Sequence, residues 1–159
     1  MQTTDLLLYE TGSGGDLAVL SNDLAMAESL YQQVYLALFG GNIEANTKSK
    51  YIESEERFDY WGNSLVWNVK TTMQFNSETE RALKNNALNS SGRLAILQAV
   101  QNDLRYLTSL LSYTVEVSVL GVNRLKITVN FTQRGNQENK VLQLVYDNAK
   151  NELIIEKII

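Results

Sequence analysis

Carboxylates are the groups in this chain best equipped for hydrolytic chemistry, because its 159 residues hold no histidine and no cysteine. That composition removes imidazole bases, thiolate nucleophiles, the usual zinc ligands and disulfides together. The acids that remain include Glu28 and Glu44, on either side of a helix-patterned segment, and Glu53, Glu55, Glu56 and Asp59 in the polar run that follows. Two carboxyl groups facing one another across a glycosidic bond, one with a raised pKa, would hydrolyse cell-wall polysaccharide. Spacing along the chain brings no particular pair together, and acids in a polar run read first as a solvated surface. The calcium-loop pattern D-x-[DN]-x-[DN]-G is absent, and Ser49-Lys50 has no S-x-x-K frame around it. The cluster Thr11-Gly12-Ser13-Gly14-Gly15-Asp16 lacks the spacing and the Lys-Ser/Thr of a phosphate-binding loop and reads as a turn. The expectation is a protein with no catalytic residue, no cofactor and no bound metal, and a carboxylate-dependent hydrolase is its rival.

Charge and hydropathy narrow the class further. With 14 basic and 18 acidic residues the formal charge is −4, which gives no whole-chain footprint for a polyanion, so nucleic acid is not an expected partner. The opening MQTTDLLLYETGSGG lacks the basic and apolar regions of a secretory leader, and no later stretch is long and apolar enough to span a bilayer. The reading is cytosolic, with no membrane partner. A hydrophobic fraction of 44% over this length supports one domain, 1–159, with a real core.

The elements that would position any functional group follow from periodicity. Leu6 to Tyr9 reads as a strand, Leu17 to Leu20 as a second, and Ser21-Asn22-Asp23 supplies cap chemistry for a helix from Leu24 to Phe39. Ala27, Leu30, Tyr31, Val34, Ala37 and Leu38 recur at helical spacing on one face, and Gly40-Gly41 is the stop. These make an N-terminal block, 1–41. Residues 42–75 form a long polar loop broken by the aromatic stretch Asp59 to Trp67, in which Tyr60 and Trp61 are candidate partner anchors or, more plainly, anchors of the loop on the core.

A helix-plus-hairpin module, 76–131, comes next. Asn76 or Ser77 can cap a helix from Glu78 to Leu88, and Asn89-Ser90-Ser91-Gly92 interrupts before a longer helix, Arg93 to Leu111, whose Leu97, Val100, Leu104, Leu107 and Leu111 lie on one face. The period then changes to two. Tyr113, Val115, Val117 and Val119 alternate with Thr114, Glu116 and Ser118, and Leu125, Ile127, Val129 and Phe131 alternate with Lys126, Thr128 and Asn130. Leu120 to Asn123 turns one strand onto the other, so the hairpin has one apolar face for the preceding helix and one polar face.

After the polar loop Thr132 to Asn139, Val141 to Tyr146 and Leu153 to Ile159 form a C-terminal strand pair, 140–159. Leu153, Ile154, Ile155, Ile158 and Ile159 make its last strand an aggregation hazard unless its own domain or a neighbouring chain covers it. The fold class is therefore α+β, an antiparallel sheet packed against two or three amphipathic helices.

The order GGDLAVLSNDLAMAESLYQQVYLALFGGNIE, DYWGNSLVW, GRLAILQAVQNDLRYLTSLL and YTVEVSVLGVNRLKITVNF resembles phage contractile-tail baseplate proteins. Specifically it is similar to the Mu-type tail protein family, related to the baseplate wedge and sheath-initiator family that carries a tail-lysozyme label. The resemblance covers about Asp16 to Phe131 and rests on element order with short motifs such as Gly15-Asp16 and Trp61-Gly62-Asn63. It implies a small α+β virion subunit, assembled in the host cytoplasm, at the junction of baseplate and sheath, whose helix-plus-hairpin half copies the sheath protein's linking module. Partners would be other tail and baseplate proteins and the sheath protein, with multiple copies in the assembly; a tail or neck completion role is the related alternative. Many wedge members carry Glu-Pro-Arg before the hairpin, where this chain has Leu110-Leu111-Ser112 and no proline at all.

A sheet edge can accept an extended arm through main-chain hydrogen bonds. The residues expected to mediate such contacts are Tyr60, Trp61, the polar hairpin face Thr114, Glu116, Ser118, Lys126, Thr128 and Asn130, and Leu153 and Ile155 on the last strand.

Overall fold

The computed structural model describes residues 4–11, 14–40 and 77–158. The fold is α+β, and its strand pairs are antiparallel. The chain divides into two compact units, Met1–Glu80 and Arg81–Ile159.

In the first unit three extended segments meet at a fork. β1 (Thr4–Leu6) pairs with β6 (Met26–Glu28), β2 (Leu8–Thr11) with β3 (Gly14–Leu17), and β4 (Val19–Leu20) with β5 (Asp23–Leu24). Each segment thus gives half its length to each of the other two. At the centre three backbone hydrogen bonds close a ring: Leu7 N–H donates to Ala25 C=O at 2.9 Å, Ala25 N–H to Ala18 C=O at 2.7 Å, and Ala18 N–H to Leu7 C=O at 3.1 Å. The ring satisfies the polar groups of three residues that interrupt the ladders.

This fork corrects the expected helix start at Leu24. Ser21 and Asn22 have positive φ, 53° and 66°, so they form the two-residue hairpin turn whose twist suits antiparallel strands instead of capping a helix. Leu24 and Met26 to Glu28 are strand, and α1 runs Ser29–Phe39. The expected apolar face is also too narrow. Tyr35, Leu36 and Phe39 are buried together with Leu30, Tyr31, Val34, Ala37 and Leu38, so α1 is a core helix enclosed on most sides. Gly40 ends it, its N–H donating to Leu36 C=O at 2.7 Å, and Ser77 returns to the same place, bonding Leu38 C=O through Oγ and Gly40 C=O through its N–H.

α2 (Thr79–Asn85) is shorter than the expected Glu78 to Leu88, with Glu80 in its first turn and Lys84 in its last, both favourable to the helix dipole. Asn86 closes it by donating from Nδ2 to Ala82 C=O at 2.8 Å. α3 (Ser90–Leu104) begins three residues before the expected Arg93, because Asn89 is its N-cap: Asn89 Oδ1 accepts from Gly92 N–H at 2.9 Å. The segment read as an interruption is therefore a first turn. Gly92 is required there, since a Cβ would stand 1.9 Å from the Ala87 carbonyl oxygen. The α-helix stops at Leu104 and tightens into a 3-10 turn, Arg105–Ser109, which delivers the chain to the sheet earlier than a helix to Leu111 would.

The second unit is built on a four-stranded meander. β7 (Leu111–Gly121), β8 (Arg124–Gln133), β9 (Asn139–Asp147) and β10 (Glu152–Ile158) lie in the order β10-β9-β8-β7. Register sorts the side chains. Val117, Ile127 and Leu144 share one rung, and Val129 with Leu142 and Leu125 with Tyr146 flank it; all seven are buried. α3 packs against β7 and contributes Ile96, Ala99, Val100 and Leu104 to the unit's core. Val100, Leu104, Leu107 and Leu111 are buried as expected, whereas Leu97 is only half-buried and Ile96 takes the central position.

Candidate functional site

The polar face of the hairpin is assembled as the alternation requires. Thr114 stands opposite Asn130, Glu116 opposite Thr128 and Ser118 opposite Lys126, so six of the expected contact residues occupy three consecutive rungs. β9 continues those rungs with Val141, Gln143 and Val145. Thr114 and Glu116 are exposed, Ser118, Lys126 and Asn130 are half-buried, and Thr128 is buried. The outermost strand therefore presents the most accessible polar groups.

Among the described residues β7 and β10 are the terminal strands of this sheet. A terminal strand carries a row of backbone groups with no ladder partner, the chemistry that recruits an extended segment. Two contacts from α3 modify the β7 end: Arg93 donates from Nη1 to Val117 C=O at 3.4 Å, and the Tyr113 hydroxyl donates to Gln101 C=O at 3.4 Å. Arg93 thereby occupies one acceptor on the terminal strand. Nothing in the two-residue alternation of β7 signals either contact, because both reach across 12 or more residues.

β10 has its own device. Its register against β9 shifts between Ile155 and Lys157, so that Ile155 stands opposite Leu144, Lys157 opposite Gln143 and Ile158 opposite Leu142. A bulge at Glu156 returns Ile158 to the rung of a core residue where strict alternation would have put Lys157. The sequence Leu153-Ile154-Ile155-Glu156-Lys157-Ile158 carries that signal, since its apolar spacing changes after Ile155. Leu153, opposite Tyr146, is half-buried, and Ile154 is exposed. β9 buries Leu142, Leu144, Val145 and Tyr146 and pairs with β8 along its length and with β10 on its other side, so residues 141–158 belong to the chain's own sheet.

At one end of the sheet two turns are tied together. Arg124 Nε lies 3.0 Å from Asp147 Oδ2, and Asp147 Oδ1 accepts from Ala149 N–H at 3.1 Å and Lys150 N–H at 3.3 Å. The Arg124 guanidinium, helped by those two backbone donors against the cost of desolvation, holds the Asp147 carboxyl below its ordinary pKa. Asn148 N–H reaches Asn123 C=O at 2.8 Å, which joins the β9–β10 turn to the β7–β8 turn. The Tyr146 hydroxyl is 3.2 Å from Asn151 Oδ1 and 3.4 Å from Asn148 Oδ1 and donates to one at a time. Beyond this clasp the hairpin tip is apolar and bare, with Val122 90% exposed beside exposed Val119 and Leu120.

No family profile, curated protein or solved structure matches the chain. Tyr60 and Trp61 lie outside the described residues, as do the acids Glu44, Glu53, Glu55, Glu56 and Asp59. Glu28 is placed in β6. Among the described residues no group of three or more His, Cys, Asp or Glu is arranged to hold a metal ion, and no helix is long and apolar enough to cross a membrane.

Proposed function

We propose that this protein is a non-catalytic structural subunit of a phage contractile-tail baseplate, joining baseplate to sheath by docking another polypeptide along a strand edge. The observation that carries the reading is the meander itself, whose terminal strands β7 and β10 each have, among the described residues, a ladder partner on one side. Exposed Thr114 and Glu116 keep β7 itself wettable, so an added strand need displace only water from its own edge. The resemblance from Asp16 to Phe131 supplies the setting: a virion tail, sheath and baseplate partners, and multiple copies per particle. Main-chain docking also suits a junction that must hold while neighbouring subunits move, since ladder bonds depend on backbone geometry and tolerate varied side chains.

Of the two edges, β7 is the expected acceptor. It is 11 residues long and regular except near Gly121, whereas β10 has 7 residues and a bulge that twists its edge away. The test is amide hydrogen exchange on the isolated protein and on the same protein in its assembled particle. Outward amides of 113–119 should exchange readily in the free chain and become protected on assembly. Unchanged exchange along both β7 and β10 would contradict docking at either edge. Peptidoglycan turnover that a single Glu28→Gln or Glu44→Gln change abolishes would replace the structural reading with the hydrolase.

A further inference from the structure

The ladder between β7 and β8 decides which main-chain groups of β7 face outward. Arg134 N–H donates to Leu110 C=O at 3.0 Å, one rung before Leu111–Gln133, and bonded and non-bonded pairs alternate along an antiparallel ladder. Ser112, Thr114, Glu116 and Ser118 therefore direct their N–H and C=O to β8, and Tyr113, Val115, Val117 and Val119 turn theirs outward. The Arg93 bond to Val117 C=O has the same phase. Side chains of the outward residues lie on the core face, against which α3 packs: Val117 is buried, Tyr113 and Val115 are half-buried and Val119 is exposed. Exposed Glu116 points to the opposite face. Two neighbouring positions of this edge thus carry opposite charges on opposite faces, the Arg93 guanidinium at Val117 and the Glu116 carboxylate. Among the described residues Glu116 has no hydrogen bond or ion pair, even with Lys126 one diagonal away on β8, and the Arg93 side chain makes only its 3.4 Å bond to Val117.

We propose that β7 takes an antiparallel strand that sets an acidic side chain opposite Val117, alongside Arg93, and a basic side chain opposite Glu116. The inference rests on docking at β7 and adds the chemistry of what docks. Directly opposed residues share a face and interact, so the partner residue paired with Val117 lies on the Arg93 side and the next one lies on the Glu116 side. Apolar side chains opposite Tyr113, Val115 and Val119 complete the cover that a terminal strand leaves open on the core face. Antiparallel addition continues the ladder type of the sheet, which is slightly the more stable per residue. The β7 strand of a second copy does not fit. Antiparallel bonding would set its outward residues against the same set here, and Tyr113, Val115, Val117 and Val119 include no acid, while Ser112, Thr114, Glu116 and Ser118 include no base. The occupant is therefore a strand from a different polypeptide, with an acidic residue followed directly by a basic one inside an apolar alternation.

Two end-blocked peptides of one composition, titrated into the full-length protein at low salt, separate this charge pattern from main-chain docking as such. Val-Thr-Glu-Lys-Val-Thr-Val places its Glu beside Arg93 and its Lys opposite Glu116, and Val-Thr-Lys-Glu-Val-Thr-Val reverses the two. The readout is the chemical shift and exchange protection of the amides of 113, 115 and 117. The first peptide should bind about tenfold more tightly, and the preference should fade at about 1 M salt, where the Debye length is about 3 Å. Arg93→Glu combined with Glu116→Lys, its fold checked by a thermal melt, should reverse the preference. If that variant does not fold, Glu116→Lys at its exposed site should by itself erase the preference. Equal binding of both peptides at β7 overturns the inference and leaves strand docking standing. A preference that these variants leave unchanged, a β7–β7 dimer that closes the edge, or protection by neither peptide also overturns it; only unchanged exchange of 113–119 on assembly removes docking at β7 as well.

Discussion

The ribbon of residues 4–28 and the sheet of residues 111–158 are both antiparallel, yet they are held in different ways. The sheet's strands are 7 to 11 residues long and place Leu125, Ile127, Val129, Phe131, Leu142 and Leu144 in the core at 1% exposure or less. The ribbon's strands are 2 to 4 residues long, and Val19, Leu20, Leu24 and Met26 remain exposed, Leu20 at 72%. Burial stabilises the first and backbone hydrogen bonding around Leu7, Ala18 and Ala25 organises the second. The lesson is that regular alternation marks a surface that must be covered, while an apolar residue in a short paired segment carries no such requirement.

Deleting 141–159 is the most damaging way to probe the contrast. It removes four buried apolar residues of β9 (Leu142, Leu144, Val145 and Tyr146), buried Asp147 and the ladder along β8. At about 1.5–3 kcal/mol for each large side chain buried, the loss is comparable with the whole stability of a domain, about 5–15 kcal/mol. Circular dichroism and a denaturant melt should show the Arg81–Ile159 unit unfolded. A truncated chain whose α3 and β7–β8 hairpin still melt cooperatively would show that β9 is an accessory strand. Next in size, Phe131→Ala should cost about 3–5 kcal/mol by equilibrium unfolding, whereas Leu20→Ala on the ribbon should change stability by less than about 0.5 kcal/mol. Equal effects at the two positions would erase the distinction between the regions.

How much of this was legible in the sequence depends on how local each cause is. The β7–β8 pairing was readable because the period-two pattern extends through Tyr113 to Val119 and Leu125 to Phe131, and the structure keeps that register from Tyr113–Phe131 to Val119–Leu125. The six polar contact candidates came with it. The start of α1 was not readable, because Ser21-Asn22 suits a helix cap and a left-handed hairpin turn equally, and only pairing with β1 and β4 selects the turn. Asn89 reads as a breaker for the converse reason: its value as a cap depends on Gly92 being in a helix. The clasp of Arg124 and Asp147 and the reach of Arg93 to Val117 join residues 23 and 24 apart, beyond any local pattern.

Two smaller effects refine the account of the second unit. Asn89→Ala removes the cap on Gly92 N–H and should cost about 1 kcal/mol, read as a lower denaturation midpoint with an unchanged slope. The Asp147 clasp should appear as a pH dependence. Its carboxyl titrates below the ordinary value of 3.8 in the folded protein, so the unfolded chain binds the proton more readily. The stabilisation is present above that ordinary value and is lost as pH falls through the lowered folded value. Stability of Asp147→Asn, measured from neutral into acid, should lack this part of the fall. Parallel profiles for the two proteins would mean that the Arg124 contact does not act on Asp147.

The central claim, that the sheet presents an edge on which another polypeptide docks, is tested most directly by imaging the protein inside a purified contractile-tail particle at a resolution that traces the backbone. The account predicts a foreign strand hydrogen-bonded along 113–119 of β7, or failing that along β10, in each copy. A particle in which both edges face solvent, or in which neighbours touch only side chains away from the sheet, would contradict it.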